Sequence, residues 1–490
     1  MVLLLAVLLL LATFSTKISD KLGVPGLVIF MGIGMLFGKG GLGLVEFSDP
    51  VLAQQIANMC LLFILFQGGF STKQEVLKDA WVPSSLLATI GVIVTALVVG
   101  LGIYFILGIE LAYALLIGSI ISSTDAAAIF ALLKGRVLKG SLRVTLESES
   151  ASNDPMAIIL TVAMIRLIQG QADTVVGMIV NLVGQLIVGV LVGALVAKIG
   201  VFLFNKLRLK EQSFYYVLAL GVALLSYGLA ELLYGNGFLS VFITGIIIGN
   251  TDYVFKRGMA LFIEGVSTFS HVMLFLILGF LLIPQEATLV WKEGLIVALT
   301  LIFVARPIAV FLIVAFHKYD FRDKLFLSWA GIKGAVPVVL ATYPLAAGLD
   351  MGSYIFNIVF FVVLISTTLQ GSTIDWVAKK LGLFVGVRQQ PTHSLELISM
   401  AEAQVEVIEY EVTSSSRARE EKINKLDLPD QTLVLSITRG NDLITPRGWT
   451  RIKEGDILII LVRYDERDLV LACLEEHNID SAKLSMATSG

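Results

Sequence analysis

Several stretches of this chain are too long and too apolar to form the core of a soluble domain. Residues 51–72, 80–109 and 351–374 contain no charged side chain, and each reaches the roughly 20 residues that a helix needs to cross a bilayer. Since 56% of the 490 residues are hydrophobic and only 15% are charged, the composition excludes an ordinary soluble protein. The apolar runs before residue 380 predict an all-α polytopic membrane protein with about 13 transmembrane helices, called spans below.

The Lys and Arg residues of the short connections predict how the spans are oriented. When successive connections are assigned to opposite sides, one side receives most of the basic residues, while the other receives only Lys39, Arg166 and Lys292. Cytoplasmic loops are the ones enriched in Lys and Arg. We therefore expect a protein of the cell membrane with its N-terminus outside and its C-terminal tail in the cytoplasm.

Polar residues interrupt the fifth span. Ser122, Ser123 and Thr124 lead directly into Asp125 within an apolar run. Hydroxyl and carboxylate side chains compete for backbone hydrogen bonds, so the helix is expected to break here and expose carbonyl groups to an ion.

The sixth span carries the densest set of polar side chains. Glu149 and Asn153 are four residues apart, as are Ser150 and Asp154, so they form adjacent rows on one side of a helix. Pro155 cannot donate to the carbonyl four residues before it, which leaves a further oxygen free. These oxygens, with one carboxylate, predict a site for K⁺ or Na⁺ at Asp154. Gln67, at modest depth in the third span, is either a helix-packing residue or an outer ligand.

Two basic residues lie within later spans. Arg306 precedes Pro307 in the eleventh, and Lys333 lies in a run with two glycines and Pro337 in the twelfth, where it indicates a second broken helix. Broken helices seven spans apart run in opposite directions, so spans 1–6 and 8–13 are predicted to be inverted repeats. Lys333 is expected to pair with Glu149, and Arg306 to neutralise carboxylates or helix dipoles nearby.

The chain changes character near its C-terminus. We predict a transmembrane domain over 1–383, a linker over 384–400, a cytoplasmic α+β domain over 401–478 and a disordered tail over 479–490. Alternating runs predict strands at 404–412, 432–438 and 456–462, with helices at 416–426 and 466–475. No spacing for zinc, catalytic nucleophile or phosphate loop occurs in the tail, and no basic patch suggests nucleic acid. We expect neither an enzyme nor a resident cofactor.

With these residues in view, residues 1–380 resemble the monovalent cation/proton antiporters of the NhaP-like branch. The resemblance rests on Ser123-Thr124-Asp125, on Glu149-Ser150 with Asn153-Asp154-Pro155, on Ala305-Arg306-Pro307 and on Trp329 through Pro337. It implies a thirteen-helix fold with crossed, unwound helices, a homodimer and an elevator-like movement of a six-helix core. It also implies that Asp154 exchanges cation and proton, with Thr124, Asp125 and Ser150 around it.

Two positions depart from this family pattern. Lys333 stands where the family usually has an arginine, which keeps the charge but loses the bidentate fork. Gln67 stands where many relatives have a glutamate. The tail is similar to the C-terminal half of a potassium-conductance regulator module, of the TrkA-C type. That likeness implies a small regulatory ligand, such as cyclic di-AMP or another nucleotide.

The combined hypothesis is a secondary antiporter in which Asp154 holds either a proton or one K⁺ or Na⁺ ion. Because Asn153 and not a second acid adjoins Asp154, the simplest stoichiometry is electroneutral, one for one. K⁺ is favoured because of the tail. Two alternatives stay open at this point: a ligand-gated potassium channel, although no Thr-Val-Gly-Tyr-Gly-like filter occurs, and a cation-coupled symporter of an organic solute.

Overall fold

A computed structural model divides the chain into two compact units, Met1–Val387 and Arg388–Gly490. It describes residues 2–22, 26–47, 49–73, 82–133, 136–171, 175–207, 211–253, 255–315, 317, 319–387, 405–413, 416–429, 432–440, 442–463 and 466–474. Each unit is considered by itself.

The membrane unit consists mainly of helices. Within the described residues eight are long and apolar enough to cross a membrane, and five shorter apolar helices accompany them. Eleven spans are single helices: Val2–Leu22, Gly26–Phe37, Pro50–Ser71, Val82–Leu107, Gly140–Ile168, Val175–Lys206, Gln212–Leu232, Gly237–Gly249, Lys256–Leu281, Trp291–Val314 and Gly352–Lys380, which are spans 1–4, 6–11 and 13. The predicted all-α fold of about 13 spans is confirmed.

The fifth and twelfth spans are each divided into two half-helices. Leu111–Ile120 and Ala126–Leu132 form half-helices 5a and 5b, and Phe321–Trp329 and Ala335–Ala346 form 12a and 12b. The two breaks lie where the sequence predicted them. Span 11 has a milder irregularity, a π-helical turn at Leu301–Ala305. It comes just before Pro307, which cannot supply the regular hydrogen bond to the preceding turn.

The spans form two bundles. Spans 1–3 pack with spans 7–10, and we call this group the seven-span bundle; spans 4–6 pack with spans 11–13 and form the six-span bundle. The bundles meet mainly where half-helix 12b packs against span 3, and span 10 also touches 12b. Both broken helices and the helix that bears Asp154 therefore belong to the six-span bundle.

Among the described residues, apolar packing joins the bundles at one end only. Near the start of span 3, a single cluster combines Ala57 and Leu61 of that span with Val339 and Leu340 of 12b, all fully buried. Near the other end the cores are separate. One contains residues of the six-span bundle such as Ala126, Leu142 and Phe326, and the other contains residues of the seven-span bundle such as Phe66, Phe204 and Met259. The bundles thus close on each other at the end where span 3 begins.

A short β-ladder fixes the exit of the chain from the six-span bundle. Strand β1, Arg136–Leu138, lies between 5b and span 6 and pairs antiparallel with β2, Phe384–Val387. Arg136 Nη1 lies 2.9 Å from Asp375 Oδ1 of span 13, and Lys139 N donates to Leu383 O at 3.1 Å. Phe384–Val387 begin the predicted linker, yet they pair with the membrane unit; residues 388–404 lie outside the described part.

The C-terminal unit contains an antiparallel sheet in the order β3-β6-β4-β5. Its strands are β3 Val405–Glu411, β4 Leu433–Arg439, β5 Asp442–Ile444 and β6 Asp456–Arg463, followed by a helix at Arg467–Leu474. The three predicted strands and the last helix are confirmed, whereas β5 was not predicted. The Asp456 carboxylate, hydrogen-bonded to Arg439 Nε at 2.8 Å, raises the pKa of that guanidinium. Residues 479–490 lie outside the described part.

The predicted helix at 416–426 is wrong. This segment forms turns and a short 3₁₀ helix, Ile423–Lys425. Its backbone hydrogen bonds run to a distant segment, from Glu420 N to Ile452 O at 2.8 Å and from Asn424 N to Gly448 O at 2.9 Å. Tertiary pairing has overridden the helical pattern of the local sequence.

Candidate ion-binding site

The break in span 5 is held open by its own side chains. Ser122 Oγ donates to Ser119 O at 2.7 Å, and Asp125 Oδ1 accepts from Ala128 N at 3.1 Å. Asp125 is thus the N-cap of 5b, a position that carboxylates favour. The same residue types that predicted the interruption produce it.

The break in span 12 is held by the neighbouring span 13. Gln370 Nε2 donates to Trp329 O at 2.7 Å, and Lys333 N donates to Ser366 Oγ at 3.2 Å. A Cβ atom at Gly334 would overlap the carboxylate of Asp125. The close approach of the two breaks therefore requires glycine at position 334.

The two breaks cross and bond directly. Asp125 N donates to Ile332 O at 2.8 Å, and Lys333 Nζ donates to Ser123 O at 2.7 Å. Lys333 is 1% exposed, so its charge lies beside carbonyl groups that follow half-helix 5a. A cation is favoured at this end of a helix because the helix dipole is negative there.

Span 6 connects the remaining predicted site residues. Ser150 Oγ donates to Thr124 O at 2.9 Å and accepts from Ala126 N at 3.0 Å. Asn153 Nδ2 donates to Thr124 Oγ1 at 2.7 Å. The structure thus brings Thr124, Asp125, Ser150 and Asn153 together around the crossing.

Asp154 lies beside this network, and its Oδ1 atom has no hydrogen-bond partner. Within the described residues, three buried oxygens have no hydrogen-bond partner here: Asp154 Oδ1, Asn153 Oδ1 and Ser123 Oγ. Buried acceptors without partners are uncommon because they cost free energy. A carboxylate, an amide and a hydroxyl oxygen are the ligand types that an alkali cation binds, so the donor set fits such an ion as a substrate.

The predicted pair of Lys333 with Glu149 is wrong. Glu149 is paired with Arg306 through both carboxylate oxygens, and Arg306 Nη2 lies 2.8 Å from Glu149 Oε2. Both residues are buried, at 1% and 4% exposed. The planar fork of Arg306 matches a carboxylate in two bonds, while the ammonium of Lys333 serves a single carbonyl. The expectation that Arg306 neutralises a nearby carboxylate holds.

Gln67 is not drawn into the cluster. Its amide donates to Ser71 Oγ at 3.0 Å on its own helix, and its role as an outer ligand stays a prediction.

The sequence analysis did not identify Ser366 and Gln370, which bond to the second break. The signal was available, because the two residues lie four positions apart in a stretch of span 13 without charged side chains.

Two crossed, interrupted helices beside a partly buried carboxylate define an ion-coupled transporter with its site at broken helices. The family model described as "Sodium/hydrogen exchanger, transmembrane" matches residues 5–380, and the TrkA-C domain model matches residues 407–471. The chain belongs to the sodium/hydrogen exchanger family and carries a TrkA-C domain.

Curated relatives and a solved structure agree with this assignment. The chain is 34% identical over 460 residues to the K(+)/H(+) antiporter NhaP2 of Shewanella sp. (strain MR-4), covering 93% of this chain and 80% of the relative. It is 28% identical to the Na(+)/H(+) antiporter NhaH of Halobacillus aidingensis, covering 77% and 97%. The sodium proton antiporter MjNhaP1 from Methanocaldococcus jannaschii at pH 8 matches with a TM-score of 0.68 and 25% identity, covering 78% and 98%. A transporter is indicated, and neither the channel nor the symporter alternative is favoured.

Proposed function

We propose that this protein exchanges protons for monovalent cations, with Asp154 holding one or the other in turn. The observation that supports this most directly is the set of unpaired buried oxygens at Asp154, Asn153 and Ser123. The other buried charges already have partners, because Glu149 binds Arg306 and Lys333 binds a carbonyl. Among the described residues, Asp154 Oδ1 has no such partner, and a carboxylate that no fixed partner occupies can be shared in turn by two cations.

The proposed exchange is electroneutral, one proton for one cation. A second acid, Asp125, lies at the crossing, but it already caps half-helix 5b. We propose K⁺ as the favoured cation and Na⁺ as an alternative substrate, because NhaP2, which is 34% identical to this chain, is named a K(+)/H(+) antiporter. The transport reaction involves no covalent chemistry, so the proposal includes no enzymatic activity.

The proposed setting is the cell membrane, with the N-terminus outside and the C-terminal unit in the cytoplasm, as the distribution of Lys and Arg predicts. We propose a homodimer as the assembly.

The C-terminal unit is proposed to bind a small regulatory ligand such as cyclic di-AMP or another nucleotide. A cavity of about 300 Å³ lined by residues including Leu426, Val434, Pro446 and Arg447 suits a ring beside a phosphate.

Exchange in proteoliposomes tests the proposal. A trapped pH dye reports proton movement when K⁺, Na⁺, Rb⁺ or Li⁺ is added outside across pH 6 to 9, with the membrane potential clamped. We expect cation-driven proton release that does not depend on voltage. Cation movement without opposing proton movement would exclude antiport, and a steep voltage dependence would exclude the one-for-one stoichiometry.

Asp154→Asn should abolish exchange, because the amide can neither carry a proton reversibly nor balance a cation. Asp350→Asn is the matched control, since Asp350 lies exposed in the connection between spans 12 and 13. The Asp154 variant should elute as folded protein in size-exclusion chromatography. Full activity in that variant would remove Asp154 from its proposed role.

A further inference from the structure

The proposed exchange requires the contact between the two bundles to open at one end. The ion site belongs to the six-span bundle, whose span 6 and half-helix 12b pack against the seven-span bundle. In the proposed orientation the shared apolar cluster lies on the outer side, and the separate cores lie on the cytoplasmic side. The site is therefore closed from outside. Because competition at one site needs access from both sides in turn, the outer contact must separate in every cycle.

Within the part of the chain that the structure describes, one side-chain hydrogen bond crosses this outer contact. Tyr343 Oη on half-helix 12b donates to Asn58 Oδ1 on span 3 at 2.9 Å. The neighbouring residues in the contact, Ala57 and Leu61 on span 3 and Val339 on 12b, are fully buried. The apolar surfaces around the bond have no directional preference, whereas a hydrogen bond between two side chains holds only at one relative position of the bundles.

We propose that the Tyr343–Asn58 hydrogen bond is a latch that favours the state open to the cytoplasm. Tyr343 and Asn58 are then positioning residues for transport, and neither touches the ion. The inference rests on the proposed antiport and goes beyond it, since it assigns a role to residues outside the ion site. When the bundles separate, both groups bond to water instead, so the net preference is modest and amounts to about fivefold in population.

The direction of the effect follows from the populations of the two states. The apparent affinity measured from one side is weakened by the fraction of molecules that are closed on that side. While the cytoplasm-open state predominates, removing the latch raises the outward-open fraction about fivefold. The inward fraction stays close to one. The half-saturating K⁺ concentration should therefore fall about fivefold when measured from outside and change less than twofold from the cytoplasmic side.

Tyr343→Phe and Asn58→Ala, made in the full chain, test this prediction in proteoliposomes of defined orientation. Tyr343→Phe removes only the hydroxyl. Tyr354→Phe is the matched control, since Tyr354 packs against the same apolar cluster from span 13. The double variant should shift no further than either single variant, because all three lose the same bond. Unchanged outer half-saturation, equal shifts on both sides, or shifts that multiply in the double variant would overturn the latch.

Cross-linking gives an independent test. Asn58→Cys with Tyr343→Cys, in a chain with Cys60→Ser and Cys473→Ser, should react with a short bifunctional thiosulfonate. The cross-link should stop exchange, and a reductant should restore it. A pair that does not cross-link, or that cross-links with exchange intact, overturns the latch. Absence of exchange in the unsubstituted protein would instead refute the proposed antiport, so the two failures are distinct.

Discussion

The two breaks cross at one point, but their polar groups are satisfied in different ways. At the break in span 12, span 13 supplies Ser366 to Lys333 N and Gln370 to Trp329 O. At the break in span 5, Ser123 keeps an unpaired buried hydroxyl, and its carbonyl is bonded by Lys333. The difference indicates a division of roles. Span 12 supplies the cation Lys333, which is held by span 13 and fixes the crossing. Spans 5 and 6 supply oxygen atoms that remain available to bind an ion.

The largest expected effect concerns the Glu149–Arg306 ion pair, which lies next to both breaks. Glu149 directly precedes Ser150, which bonds to the first break, and a Cβ atom at Gly331 would lie 2.9 Å from Arg306 Nε. Arg306→Met leaves a buried carboxylate unpaired and should lower the stability of the folded protein by about 3–5 kcal/mol. Thermal unfolding in detergent, followed by fluorescence-detected size-exclusion chromatography, measures the loss.

The double variant Arg306→Met with Glu149→Gln is the control for that experiment. It removes both charges, so most of the lost stability should return. Equal instability in the single and double variants would mean that packing around Arg306 matters and the ion pair does not.

A smaller loss is expected at the cation of the second break. Lys333→Met deletes the charged hydrogen bond to Ser123 O and should cost about 1.5–3 kcal/mol in stability. Lys379→Met, at an exposed position near the end of span 13, should have little effect in the same unfolding assay. If the two variants unfold alike, Lys333 does not support the first break and the division of roles fails.

The smallest and most selective effects come from two serines, one at each side of the comparison. Ser366→Ala should cost about 1 kcal/mol of stability, because it removes a hydrogen bond to the backbone, and should leave cation affinity unchanged. Ser123→Ala removes a buried hydroxyl without a partner and should not lower stability. Its half-saturating cation concentration should rise about tenfold, the equivalent of ~1.4 kcal/mol. Unfolding and exchange assays on both variants test this. If Ser123→Ala lowered stability and Ser366→Ala weakened cation binding, the roles assigned to the two breaks would be wrong.

Much of the fold could be predicted from local sequence patterns. The number of spans follows from apolar run length, and both breaks follow from residues that compete with or lack backbone hydrogen bonds, such as Ser122 and Pro337. The partner of Glu149 could not be predicted from such patterns. Two buried cations were available, and only the packing of spans 6 and 11 shows that Arg306 presents its fork to that carboxylate. Choosing between partners more than 150 residues away needs tertiary geometry, which no local pattern contains.

The β1–β2 ladder was missed for a related reason. Strands as short as Arg136–Leu138 have no measurable periodicity, and the partner strand lies about 250 residues later in the chain. The Tyr343–Asn58 contact also joins distant helices, and an isolated tyrosine within an apolar span is unremarkable in sequence. The site residues on span 6 were easier to select because their four-residue spacing places them on one helix side.

The position of strand β2 has a practical consequence for shortened forms of the protein. The divide between the two units falls at Val387, and Phe384–Val387 are the hydrogen-bonding partners of the segment that leads into the Asp154 helix. Truncation after Lys380 would remove β2 and leave the backbone hydrogen-bonding groups of β1 without their partners. Truncation after Val387 would keep the β1–β2 pairing. Only the second truncation removes the TrkA-C domain without also disturbing the transporter itself.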